Sequence, residues 1–172
     1  ANGVLAHRAT WQPSVIATLA YGYGISVTVL QLAHAYAVLA NDGFSVPVSF
    51  VKVGDVPVGK RVVRSDVASE VVKMLESVVQ RGGTGHRAQI KGYRVAGKTG
   101  TAYIATPQGY DKHRYVSSFV GVAPASDPRL VVAVVVRDPK GQHFGGVVAA
   151  PVFAKVMASA LRFLDISPDN LD

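Results

Sequence analysis

Cysteine is absent from this sequence of 172 residues, and acidic residues are few. The lack of cysteine excludes disulfide bonds and thiolate metal sites, but it does not distinguish a cytoplasmic from a periplasmic location. The sequence also lacks an initiator methionine, a basic-then-apolar leader and any apolar run long enough to cross a membrane. We therefore expect it to be an excerpt from a longer polypeptide.

The charge balance indicates no nucleic-acid partner. The 18 Lys and Arg residues exceed the 11 Asp and Glu residues, which gives a formal net charge of +7. These cations are scattered and do not form a basic stripe interleaved with aromatic residues, so a solvated surface is favoured. The five histidines show no metal-ligand spacing. We expect neither a metal nor a cofactor.

The composition is typical of a folded domain. Hydrophobic residues make up 49% of the chain and charged residues 17%, which favours a well-buried α/β interior over a disordered segment. No repeat, linker or low-complexity tract divides the sequence. One compact unit, or a large piece of one, is therefore predicted.

Helical spacing of apolar residues predicts four helices. The first covers Pro13 to Ala20, and the second begins at a capping box formed by Thr28 and Gln31 and ends at Asn41-Asp42-Gly43. The third runs from Ser65 or Asp66 to Gly82-Gly83, and the residues expected to face inward are Val67, Val71, Leu75 and Val78. The fourth runs from Pro151 to Leu164, and the residues expected to face inward are Val152, Phe153, Val156, Met157, Ala160 and Leu164.

Extended segments dominate the region after Gly85. Strands are predicted at Tyr93 to Ile104, Tyr115 to Val122 and Leu130 to Val136, with a flexible connection from Thr106 to Tyr115. The short turn before Leu130 makes the last two strands an antiparallel hairpin. A shorter extended stretch is expected from Val46 to Val53.

The last strand is apolar throughout, so both of its faces should be covered. Only the helix from Pro151 to Leu164 is well patterned to cover it. We therefore expect an N-terminal segment outside the sequence to supply the second cover.

Lys98-Thr99-Gly100 lies in the middle of a predicted strand, which is an unusual place for lysine and glycine. Gly92 to Thr99 also matches the phosphate-loop pattern G-x-x-x-x-G-K-T. That loop requires a buried strand before its first glycine and a helix beginning at its lysine. Arg87 to Lys91 is too polar for such a strand, and Gly100 and Pro107 oppose a helix. Nucleotide binding is therefore disfavoured.

The residues around this motif closely resemble those of the septal class B penicillin-binding proteins. The resemblance rests on the following segments, which occur in the order found in that family: Ala20-Tyr21-Gly22-Tyr23-Gly24, Leu30-Gln31-Leu32-Ala33, Gly92 to Ala102, Gly121-Val122-Ala123-Pro124-Ala125, Phe144-Gly145-Gly146 and Ala150-Pro151-Val152-Phe153. It implies an α/β (α+β) fold of the β-lactamase and transpeptidase type. In that fold a mostly antiparallel sheet flanked by helices lies beside a helical subdomain, and residues 1–172 would form the C-terminal portion of one domain.

The resemblance also implies roles for individual residues. Lys98, Thr99, Gly100 and Thr101 would form the catalytic strand, with the Lys98 ammonium assisting proton transfer and attracting the ligand carboxylate. The hydroxyls of Thr99 and Thr101 would bind that carboxylate, and the backbone N–H of Thr101 would be half of the oxyanion hole. Further substrate or β-lactam contacts are expected from Tyr21, Tyr23, His143, Phe144 and Gly145.

The resemblance places the serine nucleophile upstream of Ala1. The family's nucleophile motif is Ser-x-x-Lys, and here only Ser49 is followed three residues later by a lysine, Lys52. In a helix that spacing brings the amine beside the hydroxyl, whereas in an extended segment the two side chains point to opposite faces. Ser49 is therefore interpreted as structural. The family's Ser-x-Asn motif is also absent from the sequence.

The function implied by the resemblance is D,D-transpeptidation of peptidoglycan stem peptides ending in D-Ala-D-Ala, with inhibition by β-lactam antibiotics. The implied location is the periplasm, with an upstream segment as the inner-membrane anchor, and the implied partners are the N-terminal part of the same protein and membrane proteins of the divisome. The alternative is a non-catalytic module that binds wall peptide or division partners. A β-lactamase is a third possibility, which the septal-type flanking residues disfavour.

Overall fold

Helices and short strands occupy the first half of the chain, and a longer antiparallel sheet follows them. A computed structural model describes residues 3–5, 10–55 and 57–170. In chain order its elements are β1 (Val4–Leu5), α1 (Pro13–Ala20), β2 (Ile25–Ser26), α2 (Val29–Ala40), β3 (Phe44–Ser45), β4 (Lys60–Arg61), α3 (Ser65–Ser77), β5 (Ala96–Thr106), β6 (Gly109–Ala123), β7 (Leu130–Arg137), α4 (Gly145–Val148) and α5 (Ala150–Phe163).

The main sheet has three antiparallel strands in the order β5-β6-β7, as the predicted hairpins require. Its register pairs Lys98 with Val120 and Val120 with Ala133. Two smaller pairs, β1 with β2 and β3 with β4, each join two residues from each strand. Within the described residues, β5 and β7 are therefore the outer strands of the main sheet.

The predicted flexible connection from Thr106 to Tyr115 is wrong. Strands β5 and β6 continue through this region to a tight turn at Pro107-Gln108, where Thr106 pairs with Gly109. Gly109 adopts φ +115°, a conformation that favours glycine. The polar run from Asp111 to Arg114 concealed the strand, because this part of the ribbon is solvated and lacks apolar alternation.

Helices α1 and α2 occupy the predicted ranges. The capping box of α2 is confirmed: Thr28 Oγ1 accepts a hydrogen bond from Gln31 N at 3.1 Å, and Gln31 Oε1 accepts one from Thr28 N at 2.9 Å. The helix ends where Asp42 and Gly43 adopt positive φ angles of 52° and 81°. Local sequence signals therefore fix both ends of α2.

The buried faces of α3 and α5 differ from the predicted ones. Helix α3 buries Ala68 and Val72, leaves Val67 41% exposed and ends at Ser77, before the predicted glycine pair. Helix α5 buries Phe153, Met157 and Leu161, whereas Val152, Val156 and Leu164 are 44%, 48% and 53% exposed. Both sequences carry more apolar residues than one stripe needs. Spacing alone therefore did not fix the rotation of either helix.

The predicted extended stretch from Val46 to Val53 is also wrong. Only Phe44–Ser45 pairs as a strand, and the residues after it are irregular. Pro47 cannot donate a backbone hydrogen bond to a neighbouring strand, and the Ser49 side chain bonds to the backbone of Val51 instead. The segment is therefore irregular and bends at Phe50 and Val51.

Two hydrophobic clusters cover opposite faces of the sheet. Strand alternation puts Val132 and Val134 against the cluster of Phe119, Phe153 and Met157, and puts Val131 against the cluster of Val72, Ala96 and Val122. Helix α5 contacts β6 and β7, and α2 contacts the same strands. The expectation that the chain offers only one helical cover for β7 is therefore wrong, because α2 supplies the second.

The packing of α5 predicts unequal effects of two truncations on this helix in the full-length protein. Phe153 is fully buried, and its ring centroid lies 4.7 Å from that of Phe119. We expect Phe153→Ala to lower the free energy of unfolding by about 3–5 kcal/mol, through lost burial and a cavity. Val156→Ala is the control on the same helix and should change it by about 0.5 kcal/mol or less. Denaturant unfolding measures both, and equal effects would contradict the assigned buried face.

The packing of α4 predicts a second pair of effects. A Cβ on Gly146 would overlap the carbonyl oxygen of Thr84, so an alanine there would force α4 away from the loop before β5. We expect Gly146→Ala to destabilise the protein by about 1–3 kcal/mol. A Cβ on Gly54 would meet nothing within 4 Å. Gly54→Ala should therefore leave the melting temperature nearly unchanged, and a similar loss for both variants would refute the proposed overlap.

Candidate active site

Strand β5 carries Lys98, Thr99, Gly100 and Thr101 along the outer edge of the described sheet. Lys98 is exposed, and its Nζ donates to the carbonyl oxygen of Thr99 at 3.0 Å. The strand continues through the motif, so no helix begins at Lys98 as a phosphate loop would require. The segment therefore does not have the strand–loop–helix structure of a phosphate loop.

Alternation along β5 divides these residues between two faces of the sheet. Lys98 and Gly100 share one face with Ser118 of β6, and a Cβ on Gly100 would overlap the Ser118 hydroxyl. Thr99 and Thr101 share the other face. The two threonines therefore present their hydroxyls on the same side, two residues apart.

Thr101 is held by the start of α4. Gly145 N donates to Thr101 Oγ1 at 3.0 Å. Gly145 is buried, and a Cβ there would lie 2.5 Å from the Gly100 carbonyl oxygen and would also overlap that of Ser118. Glycine at this position therefore permits the backbone of α4 to approach β5 closely. The structure brings together Thr101 and Gly145, two of the predicted site residues.

Thr99 has a hydroxyl neighbour that the sequence analysis missed. Thr84 Oγ1 lies 3.0 Å from Thr99 Oγ1, within hydrogen-bond distance. Thr84 belongs to the loop Gly82-Gly83-Thr84-Gly85, which the sequence analysis treated only as the end of a helix. A threonine between glycines, just upstream of the motif strand, was the available signal.

Aromatic rings continue the site beyond Thr101. The His143 ring stacks on Tyr115 at 3.9 Å between centroids and 13° between planes, and it also contacts Phe144 at 4.5 Å. Ser117 Oγ donates to the His143 carbonyl oxygen. Phe144 is 57% exposed and therefore available to a ligand. The predicted neighbours His143, Phe144 and Gly145 thus form a wall next to Thr101.

Tyr115 supports this wall and was not among the predicted site residues. Its cross-strand partner is Tyr103, at 5.1 Å between ring centroids. Loss of hydration and the neighbouring Tyr103 raise the pKa of the Tyr115 phenol above its usual value. Both effects favour the neutral phenol. Tyr115 could be placed beside the site only from the register of the β5–β6 hairpin, which pairs it with Tyr103.

Tyr21 and Tyr23 lie in a separate group. Tyr21 is 68% exposed and contacts Tyr23 edge-on at 5.8 Å, and Tyr23 contacts Tyr110 at 6.2 Å. Tyr23 and Tyr103 both line a cavity of about 730 Å³ between the start of α2 and the β5–β6 hairpin. The cavity therefore lies between Tyr23 and β5, and Tyr103 on its wall also contacts Tyr115.

Ser49 makes local contacts. Its Oγ donates to the Val51 carbonyl oxygen at 2.7 Å and accepts from Val51 N at 3.1 Å. No helix includes Ser49 and Lys52, so the spacing does not place the amine beside the hydroxyl. This geometry agrees with the structural interpretation of Ser49.

The chemistry of the site is that of anion recognition. The hydroxyls of Thr99 and Thr101, on alternate residues of β5, are suited to a carboxylate, and the exposed Lys98 ammonium lies on the opposite face of the same strand. Within the described ranges, no group of three or more His, Cys, Asp or Glu side chains could hold a metal ion. Among those same residues, no helix is long and apolar enough to span a membrane.

Comparisons with known proteins identify the family of the chain. Residues 1–158 match the family described as penicillin binding protein transpeptidase domain. The chain is 42% identical to a probable peptidoglycan D,D-transpeptidase PenA of Neisseria flavescens, covering 96% of the chain and 42% of that protein. It is 43% identical to the peptidoglycan D,D-transpeptidase FtsI of Escherichia coli K12, covering 99% of the chain and 29% of that protein.

A solved structure is similar over nearly the whole chain. It is the apo transpeptidase domain of penicillin-binding protein 3 from Burkholderia pseudomallei, with a TM-score of 0.89 and 47% identity. The match covers 97% of the chain and 51% of that structure. The chain thus spans less than half the length of the curated relatives named above. Its sequence and fold together establish that it belongs to the penicillin-binding protein transpeptidase domain family.

Proposed function

We propose that this chain supplies the substrate-binding strand of a peptidoglycan D,D-transpeptidase. A serine elsewhere in the protein attacks the carbonyl carbon of the penultimate D-Ala in a stem peptide, and the terminal D-Ala leaves as the free amino acid. The amine of a second stem peptide then attacks the ester, forms the crosslink and releases the serine. β-Lactams acylate the same serine. The names of the relatives support this proposal.

The observation that carries the proposal is the arrangement of ammonium and hydroxyl groups along β5. Lys98 is exposed on one face, while Thr99 and Thr101 present hydroxyls on the other, next to the wall of His143 and Phe144. The hydroxyls bind the carboxylate of the stem peptide or β-lactam. The Lys98 ammonium favours negative charge that develops during acyl transfer, and the backbone N–H of Thr101 is one oxyanion donor.

The chain acts as the C-terminal portion of one domain, together with an N-terminal portion that bears the nucleophile. Two features support this arrangement. Strand β7 is an outer strand of the described sheet. Large apolar side chains also stay exposed around β1, β2 and the start of α2, namely Val4, Leu5, Ile25, Val27 and Val29. Packing of the N-terminal portion against these residues would bury them.

The proposed setting is septal wall synthesis in the periplasm. Similarity to Escherichia coli FtsI supports a role in cell division, and an upstream segment would anchor the protein to the inner membrane. Its partners there would be membrane proteins of the divisome, the stem peptide and β-lactam antibiotics.

The role of Lys98 leads to a kinetic prediction in the full-length protein. We expect Lys98→Ala to lower the rate of acylation by a chromogenic β-lactam on the order of a hundredfold, because one preorganised electrostatic contact is lost. Lys98 is exposed, so the melting temperature should change little. Thr101→Ala should have a smaller effect on the rate, because its backbone N–H remains. Stopped-flow acylation and thermal melts measure both quantities.

An unchanged acylation rate in a folded Lys98→Ala variant would contradict the placement of the active site on β5. If the wild-type full-length protein is not acylated at all, the non-catalytic alternative is favoured instead.

A second prediction concerns the chain alone. The geometry of Ser49 gives it no lysine partner at helical spacing, so the isolated 172-residue chain should form no covalent adduct with penicillin. Intact-mass measurement after incubation with penicillin tests this, with the full-length protein as the positive control. Stoichiometric acylation of the isolated chain would show that the nucleophile lies within it.

A further inference from the structure

Thr84 reaches the substrate-binding strand from a separate loop. The loop Gly82-Gly83-Thr84-Gly85 follows α3, and its only non-glycine side chain places Oγ1 3.0 Å from Thr99 Oγ1. Thr84 is exposed and Thr99 is partly buried, so the pair lies at the surface where a ligand can reach it. Thr99 binds the carboxylate in the function proposed above, whereas Thr84 and its loop have no role in it.

The backbone of this loop is fixed by its own contacts. Gly83 N donates to the Gln80 carbonyl oxygen, and Gly85 N donates to that of Val78, each at 2.9 Å. A Cβ on Gly85 would lie 2.7 Å from the Phe119 ring, and one on Gly146 would overlap the Thr84 carbonyl oxygen. The sheet and α4 therefore hold the loop in place from two sides. The position of the Thr84 hydroxyl follows from this packing.

Either hydroxyl of the Thr84–Thr99 pair can donate, and the choice of donor decides which hydrogen is left for a ligand. A threonine hydroxyl carries one hydrogen and two lone pairs. When Thr84 donates to Thr99, the hydrogen of Thr99 is left to donate to a ligand. Thr101 is in the same state, because its Oγ1 already accepts from Gly145 N. Both hydroxyls of β5 then accept from the protein and donate outward, as a carboxylate requires.

We propose that Thr84 is a positioning residue that orients the Thr99 hydroxyl as a donor to the ligand carboxylate. The inference rests on the proposed function, since it assigns a role within the same site. Because Thr84 acts through Thr99, replacing Thr84 should have no further effect on the acylation rate once Thr99 has been replaced. It also confines the effect to ligands that carry the carboxylate.

The test uses the full-length protein with Thr84→Val, Thr84→Ser, Thr99→Val and the double variant Thr84→Val/Thr99→Val. The matched control is Thr106→Val, on the same strand, whose hydroxyl also makes one hydrogen bond, to the Gly109 carbonyl oxygen at 2.8 Å. The second-order acylation rate is measured with benzylpenicillin and with its methyl ester. Thermal melts check that each variant is folded.

We expect Thr84→Val to slow acylation by benzylpenicillin about fivefold, a loss typical of one neutral hydrogen bond. Thr84→Ser keeps the hydroxyl and should retain the wild-type rate, as should Thr106→Val. The double variant should be no slower than Thr99→Val alone, because the two residues act in series. Acylation by the methyl ester, although slower overall, should change less than twofold in Thr84→Val.

An equal loss with benzylpenicillin and its ester, or additive losses in the double variant, would overturn this inference in favour of a purely structural loop. An unchanged rate in Thr84→Val beside a normally acylated wild type would overturn this inference alone. A full-length wild type that benzylpenicillin does not acylate would overturn the proposed function as well.

Discussion

The close approach of two backbones, that of α4 and that of β5, determines the shape of the site. Gly145 lies so near the strand that a Cβ would overlap or crowd the carbonyl oxygens of Ser118 and Gly100. This approach lets Gly145 N reach the Thr101 hydroxyl and sets His143 and Phe144 beside the strand. Glycine at this position is therefore a steric requirement of the site, because any Cβ there would push α4 away from β5.

The same approach also depends on the sheet behind it. Phe119 of β6 packs on Phe153 of α5, and the opposite face of the sheet is closed by α2 and α3 around Val72 and Val122. With both faces covered, the strand cannot move toward or away from α4 without disturbing a packed core. The hydroxyls of Thr99 and Thr101 are thus held by rigid elements, which is what preorganised binding of an anion needs.

Sequence reasoning found those parts of the molecule whose signals are local. The capping box at Thr28 and Gln31, and a lysine and a glycine within a strand at Lys98 and Gly100, each have a physical meaning that does not depend on the rest of the fold. The buried faces of α3 and α5 depend instead on which neighbours surround the helix, and apolar residues such as Val67 and Val156 fitted either rotation.

Contacts between distant segments were beyond sequence reasoning for a related reason. Thr84 and Thr99 meet only because the loop packs under α4, and Tyr115 meets His143 only once the hairpin register is set. The polar ribbon from Asp111 to Arg114 had no apolar alternation to reveal that the register continues. The family resemblance suggested roles for Lys98 and Thr101, but it gave no indication of Thr84 or Tyr115.

The register of the hairpin also separates a fixed part of β5 from a solvated part. Pairing is regular up to Tyr103, opposite Tyr115, and then shifts so that Ile104 faces Asp111. At the other end, the Asp169 carboxylate accepts from Arg94 N at 2.7 Å, and Arg94 also pairs with Glu76 of α3. Lys98 to Thr101 lie between this anchored end and the shift. The proposed binding residues therefore occupy the portion of the strand that tertiary contacts hold, and the register shift comes only after them.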